Sequence, residues 1–502
     1  MRPPLARRAA ALAALAAAVS LYALQSTEHA LFPPAADGVL FGLAVGLSVC
    51  LAVVPALYAA LRQRGTGAVA LALLMAGSVS AQSLPRTGSG DLPRRPLFGA
   101  QIAPAPEGGV ALTAITPGAS AEAAGLQAGD RITSTDDLPL ADPVAFLAAL
   151  AQAGAGADWP LQVVRDGDER EVVVTLQEVP RLTSSEFQIE YGAVEAEGAL
   201  RRTVATVPPG DGPHPAVLLI GGVGCYSLDA PSPHPYNTLR DALTRAGYVT
   251  LWVEKSGVGD SQGTPCPEID LDTEIAGYRA GLAALRARPD VDADHVFLFG
   301  HSMGGLIGPL LAGEAAAAGR PLAGVAAVST AGLPWMDYTE ANLRRQLPMM
   351  GFSEDQVAAT VPEAMRANQA LLIDGQDPDT AFAEHPSWAG LVSLPQHVSY
   401  MRQVASYDPA EVWTRVGAPA LFVAGGADFA TAPAEHELLR DAVEAAGGDA
   451  TYVLVDDLDH WMNRVPDAAA SFRALASGQP FQTYNADLTE AVLSWLDAQR
   501  DR

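Results

Sequence analysis

The sequence is poor in cysteine, in aromatic residues and in positive charge. Only three of its 502 residues are cysteine, and 6% are aromatic. Lysine and arginine together number 31 against 57 acidic residues, so the formal net charge is −26. A chain this acidic is poorly suited to the phosphate backbone of nucleic acids or to an anionic membrane surface. We therefore expect no nucleic-acid partner.

Patterns typical of metal and nucleotide sites are also missing from the sequence. No two histidines are separated by three residues, and cysteines and histidines do not cluster. A zinc enzyme is therefore not expected. No Gly-x-x-x-x-Gly-Lys phosphate-binding run occurs either. We accordingly expect a protein that needs no metal ion and no cofactor.

Length and composition indicate several folded units. Apolar residues make up 49% of the chain and charged residues 18%, which is typical of folded rather than disordered segments. Domains usually hold roughly 100–200 residues, so a chain of this length corresponds to about three units.

Residues 1–82 form an apolar, weakly basic region that differs from the acidic remainder. Apolar runs occupy 9–24, 39–61 and 65–81, and the middle run is long enough to cross about 30 Å of hydrocarbon. The third run follows two arginines and ends in Val-Ser-Ala, which is typical of a signal peptide and its cleavage site. Two interpretations stay open: three membrane spans, or a removed signal peptide with a start near residue 60.

Both interpretations place the remainder of the chain outside the cytoplasm, which is the periplasm in a Gram-negative cell. Three spans that start inside would also leave the arginines of this region in the cytoplasm, as the positive-inside rule requires. We therefore expect the membrane as a partner through these segments. Residues 83–95 are polar and rich in proline, glycine and serine, which predicts a linker.

Short strands and one helix are predicted over residues 96–180. Asp142 and Pro143 are typical of the cap and the first residue of a helix, here over 142–152. Asp166 and Gly167 separate two alternating strands and predict a tight hairpin. These signals indicate a small β-rich domain.

The segment 96–180 resembles the PDZ domain family. The resemblance rests on the run Pro-Gly-x-x-Ala-x-x-Ala-Gly-Leu-x-x-Gly-Asp-x-Ile at 117–132. It implies a loop at Phe98, Gly99 and Ala100 that receives the C-terminal carboxylate of a peptide added as a strand. Ala100 stands where the family usually has a larger apolar residue, and Arg-Pro precedes the loop instead of glycines. Peptide binding and a role as an interdomain spacer both stay open.

From residue 183 to 500, apolar strands alternate with helical patterns. Strands are predicted at 187–194, 200–207, 216–220, 249–253, 295–299, 323–328, 419–425 and 452–455. Continuous apolar strands between helices are typical of an α/β fold with a doubly wound, mostly parallel sheet.

A Gly-His-Ser-Met-Gly run at 300–304 follows the strand 295–299 directly. Glycines on both sides allow the strained strand-to-helix turn that exposes a nucleophilic serine. We predict that Ser302 is the nucleophile and that the N–H of Met303 helps to form an oxyanion hole. His301 is expected to pack or to position its neighbours.

The other two members of a catalytic triad are expected after later strands. His460 follows the strand 452–455 and is the predicted base, because it is late in the chain and lies beyond a strand end. Asp428 follows the strand 419–425 and is the predicted acid that orients the imidazole. Asp459 is a weaker candidate for the acid.

A glycine-rich run at 221–226 follows the strand 216–220 and suits a second oxyanion donor. We choose the N–H of Val223 for this role. Cys225 lies in the same run, and in an oxidising compartment it could pair with Cys266. A disulfide and two unconnected thiols both stay open.

The segment 183–500 resembles the α/β-hydrolase superfamily. Ser302, Asp428 and His460 occur in the order and strand context of its triad, and the Glu-Lys-Ser-Gly-Val-Gly-Asp-Ser run at 254–261 resembles a loop that many members have. The resemblance implies a serine esterase or related acyl hydrolase. Gly221 departs from the pattern, since many members have a histidine there.

Residues 331–410 form a long, mostly helical insert between two core strands. Helices are predicted at 338–346, 354–360, 362–370 and 394–405, with Pro362 opening a new helix. An insert of this length is typical of a lid over an active site. Residues 347–350 and Trp388 are candidates for lining an acyl pocket.

Three functions are compatible with these patterns. The first is hydrolysis of carboxylic or related acyl esters through an acyl-enzyme. The second is a serine peptidase that uses the PDZ-like segment to engage peptide C-termini. The third is a catalytically inactive, membrane-tethered protein that binds peptides. A small-molecule ester or a peptide is therefore the expected substrate, with a protein C-terminus as a further partner.

Overall fold

A computed structural model describes residues 92–501, apart from 136–137, 230–233, 479–480 and 482. The predicted spans or signal peptide of residues 1–82 lie outside the described residues, as does most of the 83–95 linker. Within the part of the chain that is described, no helix is long and apolar enough to cross a membrane.

The first unit is a small domain built on a twisted β-sheet. Its elements are β1 (Pro96–Leu97), β2 (Ala100–Pro104), β3 (Val110–Ile115), α1 (Ser120–Ala123), β4 (Arg131–Thr135), β5 (Leu138–Pro139), α2 (Pro143–Ala153), β6 (Asp158–Arg165), β7 (Asp168–Thr175) and β8 (Gln177–Glu178). The main sheet has the order β2-β3-β4-β6-β7, with β5 beside β4, while β1 pairs with β8. Strand β2 therefore lies at an edge of the sheet, where α2 contacts it.

The predicted helix cap and hairpin are both present in this domain. Asp142 Oδ1 accepts a hydrogen bond from the Ala145 N–H at 2.9 Å, and Pro143 is the first residue of α2. Asp166 and Gly167 have φ angles of 55° and 87°, as a two-residue turn between paired strands requires.

The second unit is an eight-stranded sheet. Its strands are β9 (Gln188–Ala196), β10 (Ala199–Val207), β11 (His214–Ile220), β12 (Val249–Val253), β13 (Val291–His301), β14 (Gly324–Val328), β15 (Ala420–Gly425) and β16 (Ala450–Val455). Their order is β16-β15-β14-β13-β11-β12-β10-β9. Strands β11 to β16 run parallel, and β9 and β10 form an antiparallel pair at the edge. The predicted mostly parallel sheet is confirmed.

Helices cover both faces of this sheet. The helices of this unit are α3 (Pro235–Arg245), α4 (Leu271–Arg286), α5 (Gly304–Ala317), α6 (Trp335–Met349), α7 (Glu354–Asn368), α8 (Pro378–Glu384), α9 (Val398–Ala405), α10 (Pro409–Trp413), α11 (Pro433–Ala445), α12 (Ala468–Ala476) and α13 (Ala486–Arg500). One core contains Leu243 of α3 and Trp495 of α13, and the other contains Ile275 of α4 and Ile307 of α5. Strand residues such as Leu218 are fully buried between helices and neighbouring strands, which explains the unbroken apolar runs.

Helices α6 to α10 form the insert between β14 and β15, and one boundary in it differs from prediction. The sequence predicts that Pro362 opens a helix, but α7 continues through it. A proline inside a helix costs about 3 kcal/mol. Val357 and Val361, one turn apart, are buried against Leu347 of α6, and each such side chain contributes about 1.5–3 kcal/mol when buried. This packing outweighs the penalty.

The helix predicted at 394–405 also begins later than residue 394. Helix α9 starts at Val398. Pro395 disfavours helical geometry for the residue that precedes it, and the His397 side chain caps the helix by accepting a hydrogen bond from the Ser399 N–H at 3.3 Å.

A disulfide joins Cys225 and Cys266, whose Cα atoms are 5.7 Å apart. Cys225 lies in the loop after β11, and Cys266 begins a short 3₁₀ turn after β12. The bond therefore ties together two loops that leave neighbouring strands of the sheet.

We expect the double variant Cys225→Ser/Cys266→Ser to unfold more easily than the parent, by about 2–4 kcal/mol, because the open chain gains conformational freedom when unfolded. Chemical denaturation of both proteins, with and without dithiothreitol, measures the difference. The reductant should destabilise the parent and leave the double variant unchanged. A parent whose stability does not respond to the reductant would contradict the prediction.

Candidate active site

Ser302 lies in a strained turn between β13 and α5. Its φ angle is 53°, in a region that residues other than glycine rarely adopt. A side chain at Gly300 would clash with the backbone of Gly304, and one at Gly304 would clash with the carbonyl of Ile220. The two glycines are therefore required by the close approach of helix, turn and sheet.

The structure brings together Ser302, His460 and Asp428, the residues that the sequence predicts as a triad. His460 Nε2 lies 3.2 Å from Ser302 Oγ, and His460 Nδ1 lies 2.9 Å from Asp428 Oδ2. Asp428 and His460 come from the loops that follow β15 and β16, and Ser302 follows β13. All three loops leave the carboxyl ends of parallel strands, where such sheets place their sites.

Asp428 is placed to remain ionised. Its carboxylate accepts hydrogen bonds from the N–H groups of Ala430 and Thr431 at 2.7 and 2.9 Å, and from the Thr431 hydroxyl at 2.7 Å. Burial alone would raise the pKa of Asp428, but His460 and these hydrogen bonds lower it to about 2. For His460, burial favours the neutral ring, yet the Asp428 carboxylate prevails and holds its pKa above the ordinary value of 6.5.

Asp459, the weaker candidate for the acid, has another role. Its carboxylate accepts hydrogen bonds from the N–H groups of Trp461 and Asn463 and from the Ser471 hydroxyl. These bonds brace the loop that carries His460. Burial raises the pKa of Asp459 to about 6.

The predicted oxyanion donors face the same space as Ser302. Val223 and Met303 both line the cavity beside it. Among the described residues, neither of their N–H groups donates to a protein acceptor. Gly222, just before Val223, approaches so closely that an added Cβ would lie 3.3 Å from the Cβ of Ser302. Val223 and Met303 thus both line the cavity next to Ser302, and their N–H groups have no protein acceptor among the described residues.

A chain of hydrogen bonds links this loop to the backbone of His460. The Gly222 N–H donates to the Tyr236 hydroxyl at 2.9 Å, and that hydroxyl lies 2.6 Å from His301 Nδ1. His301 Nε2 lies 2.6 Å from the carbonyl oxygen of His460. A carbonyl accepts only, so Nε2 carries the proton and Nδ1 accepts from Tyr236.

The expected positioning role of His301 agrees with this network. Burial is the main reason that its pKa falls to about 3, so the ring is neutral. Tyr236 was not anticipated from the sequence.

Lys255, the only lysine in the chain, holds the same loop from the other side. Its side chain is fully buried, and Nζ donates to the Gly222 carbonyl at 2.7 Å and pairs with Glu274 at 2.9 Å. The Tyr226 hydroxyl donates to the same carbonyl at 3.2 Å. The run at 254–261 marks this region in the sequence, but the long-range contact to Gly222 is not visible there.

A cavity of about 430 Å³ opens beside Ser302 and His460. Helix α6 of the insert contributes Trp335 and Tyr338, and Leu391 comes from a later part of the insert. The described residues that line the cavity include no aspartate, glutamate, lysine or arginine. The site therefore suits a neutral, largely apolar group.

The predicted pocket residues of the insert lie elsewhere. Leu347 is buried between α6 and α7, and Trp388 packs into the main core and donates from Nε1 to Glu363 at 2.7 Å. Their large apolar side chains stabilise the insert itself, which explains why size and hydrophobicity alone gave the wrong candidates.

The loop predicted to bind a carboxylate precedes β2 in the small domain. Phe98 is buried, with its ring centroid 5.0 Å from that of Phe146. Gly99 has a φ of 79°, and a side chain there would clash with Ala119. Ala100 begins the edge strand β2. The loop thus leads directly into a strand edge beside α2.

Two family models match the chain. Residues 215–464 match the model described as serine aminopeptidase, S33, and residues 96–176 match the PDZ domain model. The esterase EstD of Thermotoga maritima is 25% identical over 261 residues, which cover 51% of this chain and 57% of that protein. The chain thus spans little more than half the length of this relative.

The chain is also similar to solved structures. Est1E of Butyrivibrio proteoclasticus, with ferulic acid bound, has 17% identity and a TM-score of 0.40, and the match covers 62% of this chain and 99% of that one. The acylaminoacyl peptidase of Pyrococcus horikoshii has 13% identity and a TM-score of 0.36, with 66% of this chain and 43% of that one covered.

Replacing Tyr236 by phenylalanine should impair the site while keeping the ring packed. The variant loses the acceptor for the Gly222 N–H and the donor to His301, so the loop beside Ser302 is no longer fixed. We expect a fluorophosphonate probe to react with Ser302 about 10–100-fold more slowly, since small misplacements of reacting groups cost this much.

Tyr248→Phe is the matched control for this measurement. Tyr248 is also buried, but its hydroxyl donates to Asp497 at 2.8 Å, away from the site. Both variants should lose comparable stability, about 1–3 kcal/mol, while only Tyr236→Phe slows labelling. Equal labelling rates for the two variants would exclude the positioning role.

Proposed function

Since the chain joins a PDZ domain to a serine hydrolase domain of the α/β-hydrolase superfamily, we propose that it hydrolyses carboxylic esters with neutral, apolar acyl groups. Ser302, His460 and Asp428 are its catalytic residues. The observation that carries the proposal is the cavity without charged lining residues that opens beside the hydrogen-bonded side chains of Ser302 and His460.

The geometry supports hydrolysis through an acyl-enzyme. Ser302 Oγ attacks the ester carbonyl carbon as His460 Nε2 takes the hydroxyl proton, and the N–H groups of Val223 and Met303 stabilise the oxyanion. His460 then donates that proton to the departing alcohol. In the second half, His460 deprotonates a water molecule that attacks the acyl-enzyme and returns a proton to Ser302. Asp428 stabilises the imidazolium in both halves.

The charge of the cavity favours esters over peptides with a free amino terminus. An ammonium group that leaves water needs a carboxylate or several acceptors around it. The described cavity lining offers no carboxylate. Asp428 is 4% exposed, and its oxygens already bind His460, Thr431 and Ala430. We therefore attribute the match of residues 215–464 with the aminopeptidase family model to a shared fold and triad.

The insert acts as a lid over this site. Trp335, Tyr338 and Leu391 of the insert form part of the cavity wall. An apolar cover of this kind excludes water from the acyl group and strengthens the electrostatic interactions at the oxyanion.

We place both domains outside the cytoplasm. The proposal is supported by the disulfide between Cys225 and Cys266, since such bonds persist in oxidising compartments, and by the apolar segments predicted in residues 1–82. In the same compartment, the PDZ domain is proposed to bind a protein C-terminus. Its support is the edge position of β2, which follows the Phe98, Gly99 and Ala100 loop and can accept an added strand.

The test compares substrate classes on the full chain. We expect the parent to be labelled by a fluorophosphonate and to hydrolyse p-nitrophenyl esters, but not aminoacyl p-nitroanilides. Ser302→Ala and His460→Ala should reduce both labelling and turnover by about 10³-fold or more. His295→Ala is the matched control, because His295 pairs with Asp292 near the surface.

Two results would contradict the proposal in different ways. A folded parent that takes no label and cleaves no ester or amide would point to an inactive binding protein. A parent that cleaves aminoacyl amides in preference to esters would identify a peptidase.

The pH dependence of kcat/KM follows from the raised pKa of His460. The imidazole must be neutral to accept the serine proton, so activity should fall as the pH drops below a pKa that lies above 6.5. In Asp428→Asn the anion that raises this pKa is lost, so the acid limb should move to lower pH while the rate drops about 10⁴-fold. An acid limb that stays in place in the folded variant would show that another group controls it.

A further inference from the structure

Arg94 is a buried arginine that precedes the PDZ domain by two residues. The Arg94 residue is 4% exposed. Its Nη1 contacts both Asp229 and Asp260, the latter at 2.5 Å. Nε and Nη2 both donate to the Val179 carbonyl, at 3.1 and 3.0 Å. One side chain therefore connects the start and the end of the PDZ domain to two loops of the hydrolase domain.

Asp229 lies six residues after Val223 in the loop that begins after β11. The Asp229 side chain is fully buried and also accepts a hydrogen bond from the Tyr191 hydroxyl at 2.6 Å. Glu254 holds the backbone of the same segment, since its Oε1 accepts from the N–H groups of Leu228 and Asp229 at 3.0 and 3.2 Å. The described segment around Asp229 is thus fixed by buried charges and not by regular secondary structure.

The Gly222 part of this loop is held from within the hydrolase domain, because Lys255 and Tyr236 bind the Gly222 backbone. The Asp229 part is held by Tyr191 and Glu254 of that domain and also from outside it. There Arg94 contacts the Asp229 carboxylate, and Arg95 lies 3.5 Å from this carboxylate and donates to the Asp229 carbonyl at 2.6 Å.

Without Arg94, the buried carboxylates of Asp229 and Asp260 lose a shared cation. Arg202 still pairs with Asp260 at 3.1 Å, and Arg95 still lies 3.5 Å from Asp229. Buried charges are nevertheless costly unless they are fully compensated, so the loss of Arg94 favours movement of the segment toward water.

We propose that Arg94 is a positioning residue for ester hydrolysis: from outside the hydrolase domain, it holds the loop that presents the Val223 N–H to the oxyanion. This inference rests on the proposed function. It makes the PDZ side of the chain a structural part of the hydrolase site and not only a spacer. Arg94 is also four residues from Phe98, so the carboxylate loop of the PDZ domain and the oxyanion loop are joined through a short, packed stretch of chain.

The experiment compares single variants of the full chain with p-nitrophenyl esters. Arg94→Gln and Asp229→Asn remove the same ion pair from opposite ends. In each we expect kcat to fall about 10–100-fold, because an oxyanion donor is displaced, while KM stays within about twofold. The rate of fluorophosphonate labelling should fall in parallel with kcat. A loss of folded protein alone would also lower the apparent kcat at constant KM, but it would reduce only the amplitude of labelling and not its rate. The labelling rate therefore separates a displaced donor from a loss of folded protein.

Arg165→Gln is the matched control. Arg165 forms an ion pair with the buried carboxylate of Asp130, at 2.5 Å, and this pair lies within the PDZ domain. The control should lower the stability of the PDZ domain and leave kcat unchanged. The losses of kcat in the double variant Arg94→Gln/Asp229→Asn should be clearly less than additive, since both changes remove the same ion pair.

The outcomes separate this inference from the proposed function. A parent without esterase activity overturns the proposed function and this inference with it. An active parent whose Arg94→Gln and Asp229→Asn variants match Arg165→Gln overturns the inference alone. If Arg94→Gln does not fold, Asp229→Asn decides, because it breaks the same contact and leaves the connection between Arg94 and the PDZ domain intact.

Discussion

The loop after β11 must pass within van der Waals contact of Ser302, and much of the surrounding structure is arranged to meet this constraint. An added Cβ at Gly222 would lie 3.3 Å from the Cβ of Ser302, so the loop has no side chain to pack at that point. Its backbone is instead bound on both sides, by the Lys255 ammonium and by the Tyr236 hydroxyl. The loop obtains from these side chains the fixed geometry that a helix or strand obtains from its own backbone.

Buried charges hold this loop at Gly222 and at Asp229. Their hydrogen bonds depend on direction, which suits the fixed orientation of a backbone N–H. Apolar contacts stabilise a fold but do not fix orientation, whereas a hydrogen bond weakens steeply when its angle changes. Lys255 with Glu274 and Arg94 with Asp229 are both almost fully buried. Charges in such places need complete compensation, so movement of either carbonyl or carboxylate partner away from its cation is unfavourable. The loop therefore stays in position because its movement would separate buried charges from their partners.

Local patterns in the sequence predict the fold and much of the candidate site, whereas the supporting contacts are invisible there. Ser302 is recognisable because glycines and a strand surround it, and His460 and Asp428 because each follows a strand end. Tyr236 and Arg94 carry no local signal, since their partners are 65 and 135 residues away in the chain. The helix start predicted at Pro362 is wrong for the opposite reason. The local preference of proline for a helix start is clear, but packing between α6 and α7 overrides it.

The burial of Lys255 has a consequence for the chemistry of the protein surface. Lys255 is the only lysine in the sequence, and its side chain has no exposed area. The folded chain therefore presents no lysine amine to acylating or crosslinking reagents. Modification of Lys255 by such a reagent reports that the neighbourhood of Gly222 has opened, which gives a chemical readout of the loop that does not depend on substrate turnover.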